Sequence, residues 1–488
     1  MNLFFIAAFL CYFAILLIIG LLAHKKQTSS ADFIMGNRSL SFWLVALSAH
    51  ASDMSAWLFM GLPMSVFLLG LSQVWIAFGL VAGMFLNWQF VAPKLRAMTE
   101  KYDCYTLSSF FEKRFQDRSG TIRSLSAVML VLFLTHYLSA GMIGIGVLLE
   151  SLFGLNYYVG LLLTVCVVVA YTLVGGFVAV AWTDLVQGMF LLLVILIVPA
   201  LALFKMDGFA EVANFAAMKD IPLSILPSSD PLAWLSMLLL AFSWGVGYFG
   251  MPHVVTKFMS IKSPSELNKS KWLGMSWQLV VLSAAIMVGV IAVGFFPEGL
   301  SDPQMVFVEM VKSLFSPFLA GFILCAVLAA SLSTMDSQIL VCASVLSEDI
   351  YCRLAHHSLT PEKKLLSSRL GVVGVSIVAF MLSMNKSVTI METVSYSWAG
   401  LGSAFGPLVL TSLYSKKANR YGAVSGIIVG GIVVMTWPHL NPMLMAYHIP
   451  AMIPGFLSGM GSIFLVSALT NRTVGDRESM PLVHEQVS

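Results

Sequence analysis

The chain has 488 residues, of which 58% are hydrophobic and only 10% charged, against about 25% charged in soluble domains. Net charge is +3, and the six cysteines show no metal-ligand spacing; mean hydropathy is +0.89. These values exclude a soluble globular protein, give no support to a zinc site, a disulfide framework or nucleic-acid binding, and leave an all-α polytopic membrane protein.

Apolar runs long enough to span a bilayer, about 20 residues each, recur from end to end. Thirteen are expected, beginning near Asn2, Ser41, Gln73, Ser124, Tyr157, Thr183, Leu232, Trp272, Lys312, Arg369, Thr389, Gly422 and Ile449. They are continuously apolar, without the period-two alternation of a membrane barrel. The first run, Leu3 to Leu22, has no basic flank before it, is long for a signal peptide and is followed by Lys25 and Lys26, so a retained helix is expected. With the N-terminus outside, 23 of the 27 basic residues fall in cytoplasmic segments, Lys257 among them; Lys205, Lys219, Lys312 and Lys386 do not. That is the positive-inside bias, and misplacing one helix would invert every later loop and destroy it.

Loops are short. The stretch LSSFFEKRF, inside the cytoplasmic segment 94–123, reads as a short amphipathic helix at the membrane surface. The outer segment 212–231, with prolines at 222, 227 and 231, reads as an irregular cap over one entrance. The polar tail 472–488 is expected to be disordered, and the cysteines to be free thiols buried as small apolar residues.

Ionisable residues within spans cost at least about 2.5–3.5 kcal/mol and are functional candidates by default. Asp53, His136, Asp184 and Asp336 qualify, with Glu392 near the outer start of the eleventh run. Asp53 lies in SAHASDMSAW (Ser48 to Trp57), where small residues and hydroxyls let the backbone leave helical geometry and offer its freed groups local partners. A second weak point comes five helices later in SWGVGYFGMPH (Ser243 to His253), where three glycines and Pro252 oppose a continuous helix. Two discontinuous helices at that spacing point to an inverted-repeat transporter with its site at the midplane; a pair of ordinary packed helices with small-residue interfaces fits the same pattern. In AASLSTMDSQ (Ala329 to Gln338), Ser333 and Thr334 precede Asp336 and Ser337. Helical hydroxyls can simply bond back to their own i−4 carbonyls. Facing the carbonyls of a broken helix, they would form an all-oxygen pocket suited to sodium. No nucleophile–base set, metal cluster or phosphate loop stands out, so an enzyme is not expected.

The segments SAHASDMSAWLFMGLP, LVGGFVAVAWTDLVQ, SWGVGYFGMPH, LAASLSTMDSQILV, SEDIY and SYSWAGLGSAFGP together resemble the solute:sodium symporter family, in the same order and over essentially the whole chain to about Asn471. The resemblance implies a LeuT-type core of two inverted five-helix repeats. The domains would be an extra helix and linker (1–40), the core (41–420), two further helices (421–471) and the tail. It implies a sodium site of Ala51, Met54, Ala330, Ser333 and Thr334. It also implies a substrate site of Ser55, Trp57, Tyr137, Trp244, Tyr248 and Pro252, with Trp244 and Tyr248 as apolar walls. Amides at a half-helix N-terminus suit a carboxylate, and indole or phenol faces suit an apolar ring and a cation. The implied activity is sodium-coupled import of a small amino acid, L-proline first, across a bacterial inner membrane. Another small solute, a proton-coupled transporter and a non-transporting sensor are the alternatives.

No cofactor besides the transported sodium and no obligatory protein partner are expected. Two positions depart from the pattern of proline-transporting members: Ala56 stands for Gly, and Met251 for Gln, both beside the implied pocket. Asp53 is expected to hold the opened backbone and attract a cation rather than to ligate it. In some members an acid at the place of Asp184 helps form a second sodium site, and Asp336, with Ser337 beside it, stands where those members have a hydroxyl. A second ion site, a gating or hydrogen-bond role and a helix cap all remain open for these acids. His136 is expected to pack or hydrogen-bond rather than carry protons.

Overall fold

The computed structural model describes residues 3–23, 30–206, 208–226, 230–354, 360–444 and 447–471. The expectations for Lys25, Lys26, Pro227 and the tail from 472 lie outside these residues. The described chain is helical, with one isolated β-bridge between Leu40 and Ile261. Its helices are α1 (Leu3–Ala23), α2 (Ser30–Met35), α3 (Phe42–Ala51), α4 (Leu62–Leu69), α5 (Val74–Leu86), α6 (Ala92–Lys101) and α7 (Leu107–Arg114). There follow α8 (Thr121–Phe153), α9 (Tyr157–Lys205), α10 (Phe209–Met218), α11 (Pro231–Gly247), α12 (Pro252–Met259), α13 (Leu267–Phe295) and α14 (Val306–Leu314). The last are α15 (Pro317–Ser344), α16 (Cys352–Leu354), α17 (Pro361–Leu382), α18 (Ile390–Tyr414), α19 (Arg420–Leu444) and α20 (Met452–Asn471).

Among the described residues, nine helices are long and apolar enough to cross a membrane. The first, second and fifth expected spans appear as shorter apolar helices, Leu3–Leu16, Phe42–Ala51 with Trp57–Leu69, and Tyr157–Ala170; the eleventh is α18. Three helices wind through a π turn that sequence reasoning did not foresee, at Trp57–Gly61, Asn87–Val91 and Val345–Tyr351.

Several boundaries differ from expectation for physical reasons. The fifth and sixth runs form one helix, α9, interrupted at Gly176 (φ 61°, ψ −178°), a conformation only glycine adopts freely. Asp184 therefore lies two turns inside the second half instead of opening it. The outer segment begins as a helix, α10, because Val212 and Ala216, one turn apart and buried, pack on α13. The LSSFFEKRF helix exists as α7, held by a Thr106–Ser109 capping box. Its Leu107, Phe110 and Phe111 are buried in protein, so its apolar face docks on the bundle. Lys257, counted above with the cytoplasmic bases, is a fully buried residue of α12.

The centre is built where α3 packs on α9, α12 and α13, and where α15 packs on α8 and α9. Helix α18 covers α8 and the turn at Tyr248–Gly250, and α19 and α20 pair on its outer side. Helices α5 and α11 approach until their backbones touch: a Cβ on Gly79 would strike Ala241, and one on Gly83 would strike the Gly245 carbonyl. Overpacking such a seam costs about 1–3 kcal/mol or more. Gly83→Val should therefore lower the thermal midpoint of the solubilised protein by several degrees. Gly374→Ala, at a site with nothing near the added methyl, should not.

Candidate functional site

Helix α3 stops at Ala51, and the chain resumes helical winding only at Trp57. In between, the Asp53 amide reaches the His50 carbonyl at 3.2 Å and the Met54 amide the Ala51 carbonyl at 3.2 Å. Tight three-residue turns thus replace the α-helical pattern. Helix α15 lies against this opening. Ser333 Oγ is 3.1 Å from the Ala51 carbonyl and 3.0 Å from that of Ala330, and Thr334 Oγ1 is 3.1 Å from the Ala330 carbonyl. Two carbonyls and two hydroxyls thus gather in a buried cluster at the first break. The self-bonding of helical hydroxyls considered above does occur at Ala330, yet Ser333 also reaches across to the broken helix.

The second break follows α11. A 3-10 turn at Tyr248–Gly250 leads to Met251 in an extended conformation (φ −83°, ψ 101°), and Pro252 starts α12, where its missing N–H costs nothing. Asn87 Nδ2 donates to the Tyr248 carbonyl at 3.0 Å, adding to the long 3.4 Å bond from the Met251 amide. The two breaks are tied together: the Tyr248 hydroxyl donates to Asp53 Oδ2 and accepts from Gln278 Nε2 at 3.0 Å. Trp57 Nε1 donates back to the Asp53 carbonyl at 2.9 Å.

Aromatic rings line this junction. Trp57 and Trp244 have centroids 6.2 Å apart, Trp244 and Trp398 5.7 Å, and Tyr248 meets Trp398 edge-on at 5.0 Å. Trp398 Nε1 donates to the Trp244 carbonyl at 3.2 Å, and Gly247 leaves room for the indole. Tyr137 neighbours Asp53, Ser55 and Trp57 and stands edge-on to His253 at 5.8 Å. Ser55 Oγ, Tyr137 Oη and Asp53 Oδ1 are buried without a hydrogen-bond partner. Buried polar groups are rarely left so, at about 1–3 kcal/mol each, and water or a ligand completes them.

A second polar cluster lies beside the first break. Asp184 Oδ2 accepts from Ser48 Oγ at 2.6 Å, Lys257 Nζ at 3.0 Å and Ser52 Oγ at 3.3 Å. Ser337 Oγ reaches Ser52 Oγ at 3.1 Å, and Asp336 Oδ1 accepts from Thr172 Oγ1 at 2.9 Å.

The sequence profile of the sodium:solute symporter family matches residues 33–430. The chain belongs to this family. It is 40% identical over 460 residues to the high-affinity proline transporter PutP of Bacillus subtilis, covering 93% of this chain and 96% of that protein. To the osmoregulated proline transporter OpuE of the same organism it is 39% identical over 466 residues, covering 94% of each. To a sodium/proline symporter of Staphylococcus aureus it is 40% identical over 476 residues, covering 94% and 92%. A substrate-bound, outward-open Na+-coupled sialic acid symporter superposes with a TM-score of 0.82 at 19% identity, covering 98% of this chain and 100% of that one. Mhp1, a nucleobase-cation-symport-1 family transporter in a closed conformation, gives 0.59 at 14%, covering 93% and 98%. At such identities these two likenesses speak to the fold.

In this symporter-family chain, Ala51, Ala330, Ser333 and Thr334 come together, and Met54 sits buried within the same opening. Ser55, Trp57, Tyr137, Trp244 and Tyr248 share the aromatic junction. Pro252 lines a small cavity with Tyr105 and Thr106. The Ala56 methyl faces Gly144 of α8, where any added Cβ would collide with it. It therefore packs on α8. His136 lies against Tyr396, centroids 5.1 Å apart, and Glu392 forms a capping box with Thr389. Sequence reasoning missed Asn87, Gln278, Trp398 and the pairing of Lys257. Asn87 and Gln278 are side-chain amides inside otherwise apolar runs, a signal that merited the weight given to the acids; Trp398 lay within the quoted SYSWAGLGSAFGP.

Because Gln278 reaches Asp53 only through the Tyr248 oxygen, the two should be energetically coupled. Tyr248→Phe should destabilise the solubilised protein by about 1–3 kcal/mol. Gln278→Leu should then add little once Tyr248→Phe is in place, giving a thermal double-mutant cycle with a coupling above about 0.5 kcal/mol. Strictly additive losses would contradict the network.

Proposed function

We propose that this chain is a sodium-coupled secondary active symporter that imports L-proline across the bacterial inner membrane. The observation that carries this reading is the oxygen cluster at the first break, in which the Ser333 hydroxyl of α15 meets the Ala51 carbonyl of the broken helix beside the Ala330 carbonyl and the Thr334 hydroxyl. Such ligands replace the hydration shell of a hard monovalent cation. Ala51, Met54 and Ala330 would give carbonyls to sodium, and Ser333 and Thr334 hydroxyls. The nearby carboxylate of Asp53 supplies the negative charge that draws a cation in. Two relatives named for proline transport and one named a sodium/proline symporter, all near 40% identity across almost the whole chain, support the same substrate pair.

Proline fits the aromatic junction. Its carboxylate would meet the N-terminal end of the helical segment beginning at Trp57, beside the unpartnered hydroxyls of Ser55 and Tyr137. Its ring and secondary ammonium would lie against Trp57, Trp244 and Tyr248. Ala56 does not oppose this fit, since its methyl is taken up by Gly144.

In the full reading the chain crosses the membrane thirteen times, with an outer N-terminus and a cytoplasmic tail. Its core, 41–420, is a LeuT-type pair of inverted five-helix repeats, preceded by one extra helix and followed by two. The two breaks, five spans apart, then occupy equivalent places in the repeats. Sodium binding knits α3 to α15, orders the aromatic junction for substrate, and the loaded protein rocks inward. Each sodium falling through 100 mV contributes about 2.3 kcal/mol besides its concentration gradient.

Proteoliposomes should take up labelled proline with an inward sodium gradient and not with choline. Unlabelled proline should compete better than other small amino acids. Ser333→Ala with Thr334→Ala should weaken sodium dependence by about 10-fold or more, equivalent to at least about 1.4 kcal/mol. Full uptake without sodium, or uptake that follows a pH gradient alone, would overturn the reading.

A further inference from the structure

The cluster around Asp184 has the composition of a cation site, and an amine already stands in it. Asp184 supplies its carboxylate, while Asp336 Oδ1 is taken by Thr172 Oγ1 at 2.9 Å. The hydroxyls of Ser48 and Ser52 both contact Asp184 Oδ2, and Ser337 joins through Ser52. Asp184 Oδ1 and Asp336 Oδ2 are buried without partners. Lys257 Nζ bonds Asp184 Oδ2 at 3.0 Å, with its side chain 1% exposed and that of Asp184 0%. The ammonium also stands 4.8 Å over the Phe177 ring. Lys257 belongs to α12, the half-helix beyond the second break, while Ser48 and Ser52 flank the first. The ion pair thus joins α12 to α9, and the Ser48 and Ser52 hydroxyls tie the end of α3 to the same carboxylate.

We propose that Lys257 is a tethered cation that fills a second monovalent-cation position formed by Asp184, Ser48 and Ser52, with Ser337 behind Ser52, and so sets how many sodium ions each transport cycle uses. An ammonium and a sodium stripped of its hydration shell satisfy the same oxygens by charge and by hydrogen-bond or coordination geometry. The ammonium is covalently held, so Asp184 stays compensated whether sodium is present or absent. Transport then depends on the single exchangeable site at Ser333 and Thr334. Removing the amine while keeping the acids leaves a buried, uncompensated carboxylate lined by hydroxyls, which a second sodium would neutralise. This inference rests on the sodium-coupled reading above, but its decisive comparison is between variants of one residue.

The test is sodium titration of Lys257→Met beside the unaltered protein, read both by thermal stability of the purified protein and by proline uptake. The unaltered protein should titrate with a Hill coefficient of about one and move about one charge per proline. Lys257→Met should gain a second sodium-dependent stabilisation step and a coefficient approaching about two. The double variant Lys257→Met with Asp184→Asn should return to about one. A Lys257→Met protein that titrates with the same single step as the unaltered protein would overturn the proposal. So would failure to recover Lys257→Met in sodium buffer when Lys257→Arg is recovered; recovery in sodium but not in choline supports it. Absence of any sodium response in the unaltered protein would instead count against the transport reading itself.

Discussion

The Tyr248 hydroxyl donates to the Asp53 carboxylate, and this bond joins two stretches of backbone that have each given up helical hydrogen bonds. Neither break could persist alone in an apolar bundle, where every unpaired backbone group is costly. The surrounding residues supply the missing partners. Asn87 caps the Tyr248 carbonyl, Trp57 bonds the Asp53 carbonyl, and Gln278 orients the Tyr248 hydroxyl. A hydrogen bond to a charged group contributes about 1.5–3 kcal/mol, enough to hold the junction and little enough for a bound ion to shift it.

Helix α15 reads the state of that junction. Ser333 and Ser337 lie one turn apart on the same face, and both reach the end of α3, through the Ala51 carbonyl and the Ser52 hydroxyl respectively. An ion bound beside Ser333 therefore pulls on the same opened segment that presents Asp53 to Tyr248 and Ser55 to the aromatic junction. On the proposed assignment sodium and substrate share that segment, so the binding of one would change the energy of the other without direct contact. Asp184 of α9 holds the start of the segment through Ser48 and Ser52 and pairs with Lys257 of α12. Motion of α12 relative to α9 must strain or break that pair.

Much of this was legible in the sequence because it departs from what an apolar helix should contain. Asp53 among small residues, three glycines beside Pro252, and paired hydroxyls in α15 each marked a real feature. What escaped was whatever needed a partner distant in sequence. Lys257 reads as one more cytoplasmic base until Asp184, 73 residues earlier in the chain, is seen against it. Asn87 and Gln278 carry no charge and so raised no alarm. Ala56 looked like a threat to the pocket because a sequence does not say which way a methyl points; Gly144 does. The join at Gly176 was invisible for a simpler reason: hydropathy finds apolar length, not the single φ that interrupts it.

If the Asp53–Tyr248 junction couples ion to substrate, the decisive quantity is the factor by which saturating sodium raises proline affinity. It should be measured by equilibrium binding to the purified protein and to Asp53→Asn. The unaltered protein should show a rise of about 5- to 150-fold, the usual range of such coupling, and Asp53→Asn a factor near one. An equal factor in both proteins would contradict the account.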